Sequence, residues 1–225
     1  MKLKDEKLDP WQLWDISPTL HEGIAVFPGD TSFQREILLD TQKGDPLGLS
    51  WIKTTLHAGA HADATNHYHA KGKGIEEREL RDYFGPCFVA DMTHILRSSR
   101  IEWSDFESRY SNLWDFETSP RILFKTLSFP DPDRWNSDFV SLSPQLIQKL
   151  SEKKVKLVGI DTPSVDPADS KKLESHQALF ETKMAVLEGL DLRSTPEGFY
   201  HLIALPLKIR NADASPVRAI LVRPS

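Results

Sequence analysis

One cysteine, Cys87, in 225 residues excludes an internal disulfide framework. Its apolar setting in GPCFVADM points to a buried structural thiol rather than a nucleophile. No apolar run approaches the roughly 18–20 residues that a membrane-spanning helix needs. The start, MKLKDEKLDP, is too charged for a signal peptide. Cationic excess is also missing, with a net charge of -5 and a pI of about 5.9. No basic stripe offers itself to nucleic acid, and the short run at 153–156 is broken by Val155. No internal repeat, low-complexity tract or linker-like shift divides the chain. These absences describe a cytoplasmic protein with neither membrane nor nucleic acid as partner, and residues 1–225 as one domain.

What is present fits that reading. Hydrophobic residues make up 39% and charged residues 27%, the balance of an ordinary globular chain long enough to bury a core. The first third is rich in strands and turns: WDISPTL, the Pro28-Gly29-Asp30 turn, SFQREILLD, then SWIKTTLHAGAHAD. GPCFVADMTHI and RILFKTLS read as further strands, and EWSDFESRY as a helix. Ser143 and Pro144 supply an N-cap and a first helical residue for SPQLIQKLSEKK. The apolar run VKLVGIDTPS follows as a strand, then a helix over SKKLESHQALFETK, then strands MAVLEGL, FYHLIALPLKI and VRAILVRP. The pattern is α/β: a mixed sheet or barrel-like β-core flanked by a few helices.

The most informative stretch is HAGAHADATNH, with His57, His61, Asp63 and His67 at i, i+4, i+6 and i+10. All four are potential metal ligands or proton carriers. Every offset is even, so an extended strand would project all four from one face. Gly59 disfavours a helix and suits a close backbone approach. Residues 54–63 are therefore expected as a strand with His57, Gly59, His61 and Asp63 on its functional face, turning at 64–66. A lone histidine is most often a surface or core residue. Three sharing a face with an aspartate are harder to explain that way, because packed imidazoles repel when protonated unless a cation organises them. Elsewhere, His94 and His201 sit in apolar contexts that suit structural roles, and His69 in a polar stretch that suits exposure. Spacing alone leaves His176 and Glu188 undecided, although a carboxylate ending the run MAVLEG is costly to bury without a partner or a metal.

Segments along nearly the whole chain carry a family resemblance: WDISPTL (14–20), FPGDTSF (27–33), HAGAHAD (57–63), GPC (85–87), LVGIDTPSVDP (157–167), LEG (187–189), ALPLK (204–208) and DASPVRAIL (213–221). In order and spacing they resemble the cyclase family of metal-dependent hydrolases, whose hallmark is HxGTHxDxPxH, and within it the bacterial kynurenine formamidase (arylformamidase) branch. The resemblance implies a swivelling β/β/α-like fold and two zinc ions per subunit, with manganese as the other ion these ligand types suit. His57 and His61 would bind the first zinc, Asp63 would bridge, His176 would bind the second and Glu188 would be shared. His67 would be the proton donor and acceptor, and Phe27 would line the substrate pocket.

The implied reaction is hydrolysis of N-formyl-L-kynurenine to L-kynurenine and formate, a step of tryptophan catabolism, in a homodimer or larger homo-oligomer. Trp14 or Trp51 would join Phe27 against the aromatic ring. Three departures bear on the substrate: Ala60 stands where the motif has threonine, Thr65-Asn66 replaces a Pro-Leu-like pair, and Phe27 replaces the usual tryptophan. They keep open a related small-amide or isatin hydrolase-like activity on the same two-metal site. A metal-binding protein without catalysis would not need a free proton carrier such as His67.

Overall fold

The computed structural model describes residues 11–110 and 118–224; the charged start, residues 1–10, lies outside them. The strands are β1 (Trp11–Asp15), β2 (Gln34–Leu39), β3 (Leu49–Lys53), β4 (His61–Asp63), β5 (Phe84–Asp91), β6 (Arg100–Ile101), β7 (Arg121–Lys125), β8 (Ser141–Leu142), β9 (Leu157–Ile160), β10 (Ala185–Glu188), β11 (Gly198–Ile203), β12 (Ala214–Pro216) and β13 (Ile220–Pro224). The helices are α1 (Trp103–Tyr110), α2 (Pro144–Glu152) and α3 (Glu174–Thr182). Among the described residues no helix is long and apolar enough to cross a membrane.

Among the described residues, nine strands form one mixed sheet in the order β1-β13-β11-β5-β7-β9-β10-β4-β12. The middle four, β5-β7-β9-β10, run parallel, and antiparallel strands flank them on both sides. Parallel strands are covered on both faces, which is why their sequences read as near-continuous apolar runs. Alternation then splits each strand between two cores. Phe88, Ile122, Phe124, Val158, Ile160 and Val186 pack with Leu146, Ile147, Leu150 and Leu179 of the helices. Cys87, Val89, Leu123, Leu157 and Leu187 fill the other face with Tyr200, Leu202 and Leu221. Each such fully buried side chain contributes about 1.5–3 kcal/mol, so β4, β10 and α3 rest on a rigid frame. The mixed sheet flanked by few helices is the architecture expected from the sequence.

Local signals explain the ends of elements. The Ser143 hydroxyl accepts from the Leu146 N–H at 3.1 Å and Pro144 opens α2, as the sequence predicts. Helix α3 starts at Glu174 rather than at Ser170, after Leu173 in a left-handed conformation (φ 50°). The expected strand over 54–63 is corrected: β3 ends at Lys53, and the chain turns before β4 begins at His61. Gly59 is the reason, with φ +61°, a value that breaks an extended strand. A Cβ there would meet Leu20 Cδ2 at 2.8 Å, the movable end of a side chain, so it is the backbone conformation that calls for glycine.

Candidate active site

Strand β4 sets His61 and Asp63 on one face, with Ala62 fully buried between them on the other. Antiparallel pairing with β10 puts Glu188 opposite His61. His176 comes from the first turn of α3, and His57 from the Gly59 turn. Five side chains from four segments thus converge. His57 Nδ1 lies 3.1 Å from Asp63 Oδ1, and His61 Nε2 lies 3.5 Å from the same oxygen. His176 Nε2 lies 3.3 Å from Asp63 Oδ2. Glu188 spans both halves, Oε2 being 3.3 Å from His61 Nε2 and Oε1 3.4 Å from His176 Nε2.

Each imidazole is anchored through its other nitrogen. His57 Nε2 faces Asp213 Oδ2 at 2.9 Å, His61 Nδ1 faces the Gly59 carbonyl at 2.8 Å, and His176 Nδ1 faces Asp166 Oδ2 at 2.8 Å. These partners fix ring orientation and leave the inward nitrogens as acceptors, the usual support of a metal-ligating histidine. Asp166 also accepts from the Ser175 and His176 N–H groups, at 2.9 and 3.0 Å, and so caps the start of α3. That cap ties the helix boundary to the placement of His176.

The inward atoms are what a cation would satisfy. Among the described residues, His61 Nε2, His176 Nε2 and both Asp63 oxygens are buried and lack a hydrogen bond, and each such group costs about 1–3 kcal/mol when left unpaired. Ligand atoms about 2.1 Å from a tetrahedral ion lie about 3.4 Å from one another, which the gaps of 3.1–3.5 Å match. The donors divide into His57–His61–Asp63 and Asp63–His176–Glu188, two sets that share Asp63. The residues present therefore fit divalent metal.

Electrostatics point the same way. Burial disfavours charge on His57, yet its contacts with Asp63 and Asp213 raise its pKa to about 9. Burial likewise opposes a charged His176, and Asp166, Asp63 and Glu188 overcome it and raise the pKa. Burial pushes the Asp63 carboxyl up, but His176 and His57 hold it well below the usual range. The carboxylates thus demand positive charge at this point. His67 differs. Burial lowers its pKa, with the Asp63 charge pulling the other way, so it remains neutral near pH 7. Its ring lies 4.2 Å from that of His57 and 6.0 Å from that of His176. A third group of His57, His67 and Asp213 is more open, and Asp213 there already engages His57.

Above this floor opens a cavity of about 380 Å³, reached by His57, His67, His176 and Glu188 and walled by Phe27, Phe129 and Trp135. Phe27 packs edge-on against Trp135, ring centres 4.7 Å apart. The tryptophan beside Phe27 is therefore Trp135, not Trp14 or Trp51: Trp14 packs on Tyr200 instead, and Trp51 belongs to the β2–β3 arm. His94 and His201 are exposed rather than structural, while Cys87 is buried as expected. Asp166, Asp213 and Trp135 were not singled out by sequence reasoning. The two carboxylates do lie in LVGIDTPSVDP and DASPVRAIL, segments that carry the resemblance, but no spacing ties them to the histidines they hold.

Residues 14–167 match the family model Cyclase, described as "Putative cyclase". The kynurenine formamidase of Paracidovorax citrulli is 41% identical over 217 residues, 96% of this chain and 99% of that protein. That of Polaromonas naphthalenivorans is 44% identical over 211 residues, 93% of this chain and 90% of that protein. Among solved structures, one described as a potential metal-dependent hydrolase with cyclase activity superposes with a TM-score of 0.80 at 27% identity, covering 96% of this chain and 99% of that one. An isatin hydrolase bound to thioisatinate shares the fold, with a TM-score of 0.80 at 18% identity over 96% of this chain and 94% of that one. The chain belongs to the cyclase family.

Proposed function

We propose that this protein is a zinc-dependent arylformamidase, hydrolysing N-formyl-L-kynurenine to L-kynurenine and formate. The observation that carries the reading is the convergence of His57, His61, Asp63, His176 and Glu188 beneath an aromatic-walled cavity, in a chain 41–44% identical to kynurenine formamidases. His57, His61 and Asp63 would hold one ion and His176 the second, with Asp63 and Glu188 available to both. Bound there, zinc supplies Lewis acidity that polarises the formyl carbonyl and eases ionisation of the attacking water.

The chain's own residues do the rest. Neutral His67 accepts the proton of the water as its oxygen bonds to the formyl carbon. It then delivers that proton to the amide nitrogen as the C–N bond breaks, releasing formate and the aryl amine. Phe27, Phe129 and Trp135 stack on or pack edge-on to the aryl ring and exclude water from it. We further infer one catalytic domain over residues 1–225, supported by β1 pairing with β13 across the length of the chain. A homodimer or larger homo-oligomer is supported by the β2–β3 arm, which leaves Ile37, Leu38, Leu49, Trp51 and Ile52 40–61% exposed.

The test is turnover of N-formyl-L-kynurenine by zinc-loaded protein, with isatin and N-formylaniline assayed beside it. Release of kynurenine and formate in equal amounts is expected, with isatin poor. Preferred opening of isatin would replace the substrate assignment and leave the metal centre standing.

A further inference from the structure

Beside the aromatic wall, the cavity lining includes a carboxylate that the mechanism does not use. Asp161 follows β9 and is 5% exposed, and its hydrogen-bond partners are all neutral. It accepts from the Thr126 N–H through both oxygens at 3.0 and 2.9 Å, from the Thr126 hydroxyl at 2.6 Å and from the Leu127 N–H at 2.9 Å. Because Thr126 donates its hydroxyl proton to Asp161, it must accept from Ser128 Oγ, 2.8 Å away. Ser128 Oγ in turn accepts from the Val140 N–H at 2.9 Å. The direction of every bond is thereby set, and the chain of donors ends on an acceptor-only group.

This chain joins the two ends of segment 126–140. Between them the segment carries Phe129, Pro132 and Trp135 to the cavity. The rings brace one another, Phe129 and Phe139 both lying within 6.3 Å of a neighbouring ring in the cluster. Leu127, where the segment leaves β7, is held at φ 53°, a conformation leucine rarely adopts unless its surroundings impose it. The Asp161 oxygens on the Thr126 and Leu127 N–H groups are that imposition. Burial raises the Asp161 carboxyl to about 6 even though Thr126 and Leu127 pull it back. A serine or asparagine could cap a turn without burying a charge.

We propose that Asp161 is a positioning residue for substrate: through Thr126 and Ser128 it sets Phe129 and Trp135 against Phe27, and so determines selectivity for an aryl group. The proposal deepens the formamidase reading and rests on it for the identity of the substrate. Asp161→Asn puts an NH2 donor against Thr126 or Leu127, and Thr126→Val removes the hydroxyl link with little change in shape. Thr126→Ser keeps the hydroxyl.

The expected result is that D161N and T126V each raise KM for N-formyl-L-kynurenine about tenfold, the loss of one bond to a charged group, with kcat held within about twofold. Aniline, titrated calorimetrically, should lose affinity by the same factor, while T126S stays close to wild type and zinc content is unchanged in all three. A fall in kcat at constant KM, loss of zinc, or a lower Tm with unchanged KM and aniline affinity would each overturn the proposal. T126V carries the test if D161N does not fold. A wild type that binds aniline but turns over no aryl formamide refutes the proposed function while the aniline titration still decides the role of Asp161; a wild type that does not bind aniline refutes the role.

Discussion

The floor and the wall of the cavity are built on opposite terms. The floor is polar and mostly buried, and it is carried by β4, β10 and the start of α3, elements pinned by the two cores of the central sheet, with His57 added from the Gly59 turn. Each of its histidines is locked by a second partner, Asp213, Gly59 or Asp166. The wall is apolar and is carried by two irregular segments, one bearing Phe27 and the other Phe129 and Trp135. The contrast teaches that the reaction is fixed by the frame and the choice of substrate by the loops. Ligand atoms must hold to a few tenths of an ångström, whereas a ring tolerates a shifted neighbour.

The sharpest way to break the contrast is at the shared ligand. Asp63→Ala should lose both ions and all turnover together, checked by metal analysis and assay on one sample. A variant that retained two ions and turned over would dissolve the floor as described. Next in size, His67→Ala should keep its zinc and lose about 10²–10⁴ in kcat, the usual worth of a general acid–base group. Loss of zinc from that variant would move His67 into the ligand set. Asp166→Ala removes only a support, so zinc affinity should drop about 10–100-fold, measured by competition with a chelator. Smallest, Trp135→Ala should raise KM about tenfold for the loss of a ring contact and its buried area, without changing zinc content. If W135A lowered kcat and spared KM, the wall would belong to the chemistry after all.

The two regions also differed in how readable they were. The even spacing of His61 and Asp63 shows directly as one strand face, and the apolar runs of β5, β7, β9 and β10 show as buried strands. Ser143-Pro144 marks α2 to the residue. His57 reaches the same point by another route, because Gly59 takes a positive φ and ends the strand that parity would have continued. Asp213 and Asp166 were hidden for a different reason: a carboxylate in a turn carries no periodicity, and Asp213 lies 156 residues from His57 and Asp166 ten from His176. Pairing Phe27 with Trp14 or Trp51 followed closeness in sequence, but Trp135 arrives on a segment whose path is set by Asp161, far along the chain. Hydrophobic pattern and ligand parity are local quantities. The anchors and the wall are tertiary ones.

The most direct test of the central claim is a metal count and an assay of N-formyl-L-kynurenine on the same zinc-replete preparation. The account predicts two zinc ions per chain and stoichiometric release of kynurenine and formate, both lost on chelation and regained with zinc. A preparation that hydrolysed the formamide with no bound metal, or that held two ions and left every aryl formamide intact, would contradict it.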